Sequence, residues 1–317
     1  MFIQILLLIL GFVLLIKGAD IFVDGASSTA QNFKISKVLI GLTIVAFGTS
    51  APELAISLKA LSRGSGDMVL GNVIGSNITN GLLILGVSVI IRNLTVKQNT
   101  VKKELPLHML ISSILVVLFL DSQINGLSPN MISRSDAFVI LLLCSIFLYY
   151  IISISRNKID EEQEKANYGI LKSLLFVGLG LAGIIFGSDL VVDSATFIAK
   201  TLGVSERVIS LTIIAFGTSL PELVTSIISS IKKEQDILVG NIIGSSIFNI
   251  CIVLGLPVAI YGSLIPSSFQ MLDLITLLAT SILLYIIPKT NDYKFTKGTG
   301  IMLVCIYIAY YITVFVL

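Results

Sequence analysis

The sequence predicts an all-α integral membrane protein: ten transmembrane helices forming two inverted five-helix repeats, with helices broken near the midplane. Three observations predict it. Apolar residues make up 55% of the 317 positions and charged residues only 13%, against about 25% charged in an ordinary soluble domain. Apolar stretches long enough to cross a bilayer recur along the whole chain, and the mean hydropathy is +0.99. A block near the N-terminus returns 169 residues later without a gap.

Ten spans of about 20 residues use roughly 200 positions and leave room for short connections only. They fall at 2–23, 36–61, 68–91, 104–120, 135–154, 169–199, 205–231, 236–260, 268–288 and 298–316. The first lacks the basic start and small-residue cleavage site of a signal peptide, and it takes part in the repeat, so it counts as a span. Residues 156–168, with Asp160, Glu161, Glu162 and Glu164, are expected to form a solvated cytoplasmic linker. It separates a first five-helix repeat at 1–155 from a second, inverted one at 169–317.

The net charge of +2 gives no basis for nucleic-acid binding. The chain has no Trp, so any interfacial belt rests on Tyr, Lys and Arg. Cys144, Cys251 and Cys305 lie in apolar runs without CxxC spacing and read as small core residues. Basic residues set the orientation. Alternate connections, beginning after the first span, carry fifteen of them, and the opposite set carries five: Lys59, Arg63, Arg134, Lys200 and Arg207. The bias puts the linker in the cytoplasm and both termini outside a plasma membrane crossed ten times.

The repeat is specific. LTIVAFGTSAPEL at Leu42–Leu54 returns as LTIIAFGTSLPEL at Leu211–Leu223, and GNVIGSNITN at Gly71–Asn80 returns as GNIIGSSIFN at Gly240–Asn249. From Gly11 to Asn80, 30 of 70 positions are identical to those 169 later. Shared apolar composition does not produce that. Five spans separate the copies, and five is odd, so the copies must enter the membrane from opposite faces. Inverted repeats of this kind build secondary transporters, with the substrate site expected near the midplane where the repeats meet.

The motifs supply hard-oxygen chemistry. In GTSAPE, Gly48–Glu53, Pro52 lacks an amide donor and Gly48 loosens the turn before it, so the helix should break and restart. Thr49 or Ser50 is expected to cap the second half, and carbonyls near Ala46 and Phe47 to lose their helical partners. Thr49, Ser50 and Glu53 can share one face. Gly217–Glu222 repeats the arrangement with Thr218, Ser219, Pro221 and Glu222. A single proline kink with a stray acid reaching an interface would be commonplace. Two identical ones at mid-span are not, because an ionised carboxylate at the bilayer centre costs about 2.5–3.5 kcal/mol on insertion scales.

In the second motif Asn72, Ser76 and Asn80 line one helical face, and Gly71 and Gly75 allow close helix approach. Asn72 reads as a packing residue. Ser76, Asn80, Ser245 and Asn249 read as ligands, since they recur beside a carboxylate motif in both halves. Together these groups can supply the six to eight oxygens calcium accepts. The set holds no His or Cys, which argues against zinc or copper. Two carboxylates are neutralised by one calcium, by two sodium ions or by two protons. A site that crosses cheaply only when neutral should exchange ions obligatorily. Asp20, Asp24, Asp189 and Asp193 lie near span ends and read as caps or interface residues, and His108 reads as structural. No nucleophile–base pair accompanies the acids, so no enzymatic activity and no cofactor are expected.

These motifs resemble the alpha repeats of the calcium/cation antiporter superfamily, most closely its sodium/calcium exchangers. The resemblance implies alternating access by sliding of the first and sixth helices, and transport of Ca2+ against Na+ by a single chain. It implies that Glu53 and Glu222 are the central ligands. Thr49, Ser50, Thr218 and Ser219, with the carbonyls of Ala46 and Ala215, would complete the ion sites beside Ser76, Ser245, Asn80 and Asn249. Potassium-dependent relatives have an aspartate where this chain has Asn249, which argues against potassium co-transport. Calcium/proton exchange within the superfamily and a passive cation channel remain the alternatives.

Overall fold

A computed structural model describes residues 2–126, 129–155, 166–203, 215–266 and 270–316. The acidic run of the linker and residues 204–214, which include the start of the seventh predicted span, lie outside the described residues. The membrane elements are α1 (Phe2–Phe33), α2 (Lys37–Thr49), α3 (Ala51–Ser62) and α4 (Gly66–Ile91). After the short α5 (Gln98–Lys102) come α6 (Glu104–Phe119), the short α7 (Asp121–Asn125) and α8 (Arg134–Ser155). The remainder holds α9 (Ile170–Thr201), α10 (Ala215–Gly217), α11 (Leu220–Ile231), α12 (Gln235–Tyr261), α13 (Met271–Thr290) and α14 (Lys297–Val316).

Among the described residues seven helices are long and apolar enough to cross a bilayer, and the pair α2 and α3, bent by 44° at Ser50, makes up to eight. The fourth predicted span appears as α6, with 16 residues, and the seventh as α10 and α11. The first span was expected to end at 23, but α1 runs ten residues further. Its polar end stays helical because Ala26, Ser27, Ser28, Thr29 and Ala30 are buried, so tertiary packing offsets their weak preference for helix. Large apolar side chains such as Leu142, Leu171 and Phe186 are well exposed, as a lipid solvent allows. Cys144 and Cys251 are buried as expected. Cys305 is exposed on α14, which corrects its reading as a core residue.

The chain forms two compact units, Met1–Pro52 with Lys158–Asn241 and Glu53–Asn157 with Ile242–Leu317. Each unit therefore takes segments from both copies of the repeat. In the first, α1 lies along α9 at very short range. A Cβ added to Gly18 would lie 2.7 Å from Ile184 N, one on Gly180 2.6 Å from Phe22 N, and one on Gly187 2.6 Å from Leu15 N. Gly18 and Gly187 are repeat equivalents, so both helices contribute the same small residue to the contact. Leu15, Ala19, Phe22, Ile184 and Val191 fill the core around it.

Polar ties close one end of this unit. Lys232 pairs with Asp20 at 2.8 Å and Asp24 at 2.6 Å. Burial alone would lower the Lys232 pKa, but its hydrogen bonds to the two carboxylates outweigh that and hold it above the ordinary lysine value. Lys37 pairs with Glu234 at 2.9 Å, and Ser27 Oγ donates to Glu234 Oε1 at 2.8 Å. These bonds tie α1 and the start of α2 to the connection that follows α11.

In the second unit β1 (Leu94–Thr95) pairs antiparallel with β2 (Lys294–Phe295), with Leu94 opposite Phe295. That joins the connections after the third and ninth predicted spans. Ile132 bridges Leu264, and Arg134 Nη2 donates to Ile260 O at 3.0 Å, which joins those after the fourth and eighth. His108 is buried on α6, one turn from Glu104, whose Oε1 accepts from the Tyr150 hydroxyl.

Candidate ion-binding site

Both proline motifs interrupt their helices at the same residue and with the same geometry. Ser50 has φ −84° and ψ 6°, and Ser219 has φ −90° and ψ 5°. Both fall in the sparsely populated bridge region where active-site residues often sit. Pro52 and Pro221 follow two residues later, inside the first turn of α3 and α11, where a missing N–H costs nothing.

The Ser50 hydroxyl donates to Glu222 Oε1 at 3.1 Å, and Ser219, at the N-cap position of α11, makes no side-chain cap bond. One local expectation is corrected. The Ala46 carbonyl was expected to lose its helical partners. It accepts from Ser50 N at 3.0 Å and from Thr49 Oγ1 at 3.3 Å, because the bridge conformation of Ser50 still closes the turn.

The carbonyl a proline orphans is the one four residues before it. For Pro221 that is Gly217, and Ser188 Oγ of α9 donates to it at 3.1 Å. Ser188 gave no signal in the sequence, since its repeat equivalent is Ala19. Ser188→Ala should destabilise the fold by about 1–3 kcal/mol, the cost of leaving a buried carbonyl unpaired. Thermal unfolding in detergent checks this, and an unchanged midpoint would contradict it.

The first unit contains Ala46, Thr49, Ser50, Ala215, Thr218, Ser219 and Glu222. Glu222 is 1% exposed, and its Oε2 has no hydrogen-bond partner among the described residues. Thr49 Oγ1 also lies 3.2 Å from Asn241 Oδ1, and Asn241 Nδ2 donates to Ser226 Oγ at 3.1 Å. Ala215 opens the three-residue α10. Thr218 and Ser219 are buried beside the break.

The second unit contains Glu53, Ser76, Asn80, Ser245 and Asn249, all buried. Glu53 is fully buried in the first turn of α3. Its carbonyl accepts from Asn72 Nδ2 at 3.2 Å, and the same nitrogen donates to Ser57 Oγ at 3.1 Å. Asn72 therefore ties α4 to α3, the packing role read for it, and Ser57 and Ser226 are repeat equivalents that the sequence reading passed over.

Asn80 and Asn249 occupy matching wide π turns, Thr79–Ile84 in α4 and Asn249–Leu254 in α12. Such turns concentrate at functional sites. Neither the amide oxygen nor the amide nitrogen of either residue has a partner among the described residues. Four unsatisfied buried amide atoms at equivalent places need a reason, and coordination of a cation by the oxygens is one. The π turns had no sequence signal, because wide turns carry no composition of their own.

Buried carboxylates, amides and hydroxyls at broken or widened helices of an all-α membrane protein mark an ion or substrate pathway. The chain belongs to the sodium/calcium exchanger protein family, whose profile matches residues 3–153 and 172–316. It is similar to the inner membrane protein YrbG of Escherichia coli (strain K12), with 37% identity over 94% of this chain and 92% of that one. It is similar also to the sodium/calcium exchanger MaX1 of Methanosarcina acetivorans, with 30% identity over 99% of both chains. Among solved structures it matches the sodium-calcium exchanger NCX_Mj soaked with 10 mM Na+ and zero Ca2+. The TM-score is 0.85 at 33% identity, over 96% of this chain and 97% of that chain.

Proposed function

We propose that this antiporter exchanges calcium for sodium across the plasma membrane, by alternating access of ten spans with both termini outside. Glu53 and Glu222 are the central ligands. Thr49, Ser50, Thr218, Ser219, Ser76, Ser245, Asn80 and Asn249, with the carbonyls of Ala46 and Ala215, complete the ion sites. The observation that carries this reading is Glu222: a carboxylate closed off from solvent, with Ser50 on one oxygen and no partner for the other among the described residues. A buried charge of that kind needs a cation or a proton.

Charge favours exchange over leak. Two carboxylates are neutralised by one Ca2+ or by two monovalent ions, so a loaded carrier crosses at low cost and an empty one does not. Both π-turn positions carry neutral amides, so the motifs supply no third acid to hold an extra proton. The names of MaX1 and NCX_Mj support sodium as the counter-ion. A single chain contains every proposed ligand.

Reconstitution in proteoliposomes tests the coupling. An outward sodium gradient should drive calcium accumulation, and a proton gradient without sodium should not. Uptake driven by protons alone would make the chain a calcium/proton exchanger. Calcium flux with neither counter-ion would make it a passive channel.

A further inference from the structure

The Gly-Asn motif of the second copy reaches the break between α2 and α3. In the first, Asn72 Nδ2 donates to the Glu53 carbonyl, an atom that can only accept, which fixes the nitrogen toward the acid-bearing helix. Asn241 makes the repeat-equivalent bond, Nδ2 to Ser226 Oγ, and Ser226 stands one turn beyond Glu222 on α11. Its oxygen is therefore turned the other way, and there it meets Thr49 Oγ1 at 3.2 Å. Asn241, Ser226 and Thr49 are fully buried.

We infer that Asn241 is a positioning residue that sets the hydroxyl of Thr49 for an alkali cation beside Glu222. The inference rests on the reading of Thr49 as a cation ligand. A hydroxyl has one proton and two lone pairs. Three acceptors compete for the Thr49 proton: the Glu222 carboxylate, the Ala46 carbonyl of its own helix at 3.3 Å, and Asn241 Oδ1 at 3.2 Å. A proton directed at the Glu222 carboxylate would point at the incoming ion. A proton directed at Asn241 puts the lone pairs on the ion's side instead. With its nitrogen on Ser226 Oγ, as Asn72 has on Ser57 Oγ, the amide presents its oxygen to Thr49.

The effect should be selective. Calcium binding is dominated by attraction between a divalent ion and carboxylates, and sodium binding depends in larger share on each neutral oxygen dipole. Asn241 should therefore weigh more on sodium than on calcium.

The test is sodium-driven calcium uptake by the full chain in proteoliposomes, with each ion's half-saturating concentration measured separately. Asn241→Leu, which keeps volume and removes both bonds, should raise the sodium value about fivefold, as expected for one hydrogen bond, and the calcium value less than twofold. Ser226→Ala, a milder change, should move sodium in the same direction by less. In a Thr49→Val background neither substitution should add to the shift. Equal shifts for both ions, or additive effects in that background, would overturn the inference and reduce Asn241 to a packing residue. A shift from Thr49→Val but none from either partner would also overturn it while leaving Thr49 a sodium ligand. If Thr49→Val itself leaves the sodium value unchanged, both the inference and the sodium-ligand reading of Thr49 fall.

Discussion

Glu222→Gln should abolish sodium-driven calcium uptake while the protein still folds. Glutamine keeps the shape of the side chain, and its amide oxygen can still accept from Ser50 Oγ, so the bond from the break between α2 and α3 to α11 is kept. What changes is charge. With one carboxylate instead of two, a bound calcium would leave one positive charge uncompensated. On insertion scales a charge at the bilayer centre costs about 2.5–3.5 kcal/mol, which is roughly two orders of magnitude in the loaded population. Glu53→Gln should match it, because Glu53 is equally buried and occupies the equivalent place in the other copy. Uptake of labelled calcium by proteoliposomes, with size-exclusion profiles as the folding control, decides the matter. Normal exchange by a folded variant of either residue would contradict the account.

The second large effect is structural. Gly180→Val should cost about 1–3 kcal/mol or more, the range seen when a packed interface is overfilled. A Cβ there would sit 2.6 Å from Phe22 N and 2.7 Å from Phe22 Cα, and backbone atoms cannot swing aside. Gly178 stands two residues earlier on the same helix, with nothing within 4 Å of an added Cβ. Gly178→Val is therefore the matched control and should be nearly neutral. A thermal unfolding midpoint in detergent that falls for residue 180 and holds for 178 is the expected pattern. Equal behaviour of the two would contradict a close α1–α9 contact.

Much of this was legible in the amino-acid order. Composition called for a bilayer, and the gapless 169-residue offset brought out Ser50 with Ser219, Glu53 with Glu222 and Asn80 with Asn249 before any coordinates. The structure gives those pairs matching backbone: nearly the same φ and ψ at the two serines, and π turns at the two asparagines. The same offset also matched Ser57 to Ser226, but serines on apolar helices draw no notice until an asparagine is seen to bond them. Other features had no local signature. Ser188 stabilises Gly217 across a helix interface, and nothing near either residue announces the partner. The length of α1 is set by burial of its last turns, which residue preference does not report. The motif suggests freed carbonyls near Ala46 and Phe47, yet the geometry of proline frees the one four residues back, which in the second copy is Gly217.

One measurement bears most directly on the claim that Glu53 and Glu222 bind the transported cation together. It is calorimetric titration of calcium into the purified wild type and into each single Gln variant, with and without sodium. The account expects saturable calcium binding to the wild type, displaced by sodium and lost in both variants. Calcium affinity unchanged by either substitution would place the ion elsewhere in the protein and contradict it.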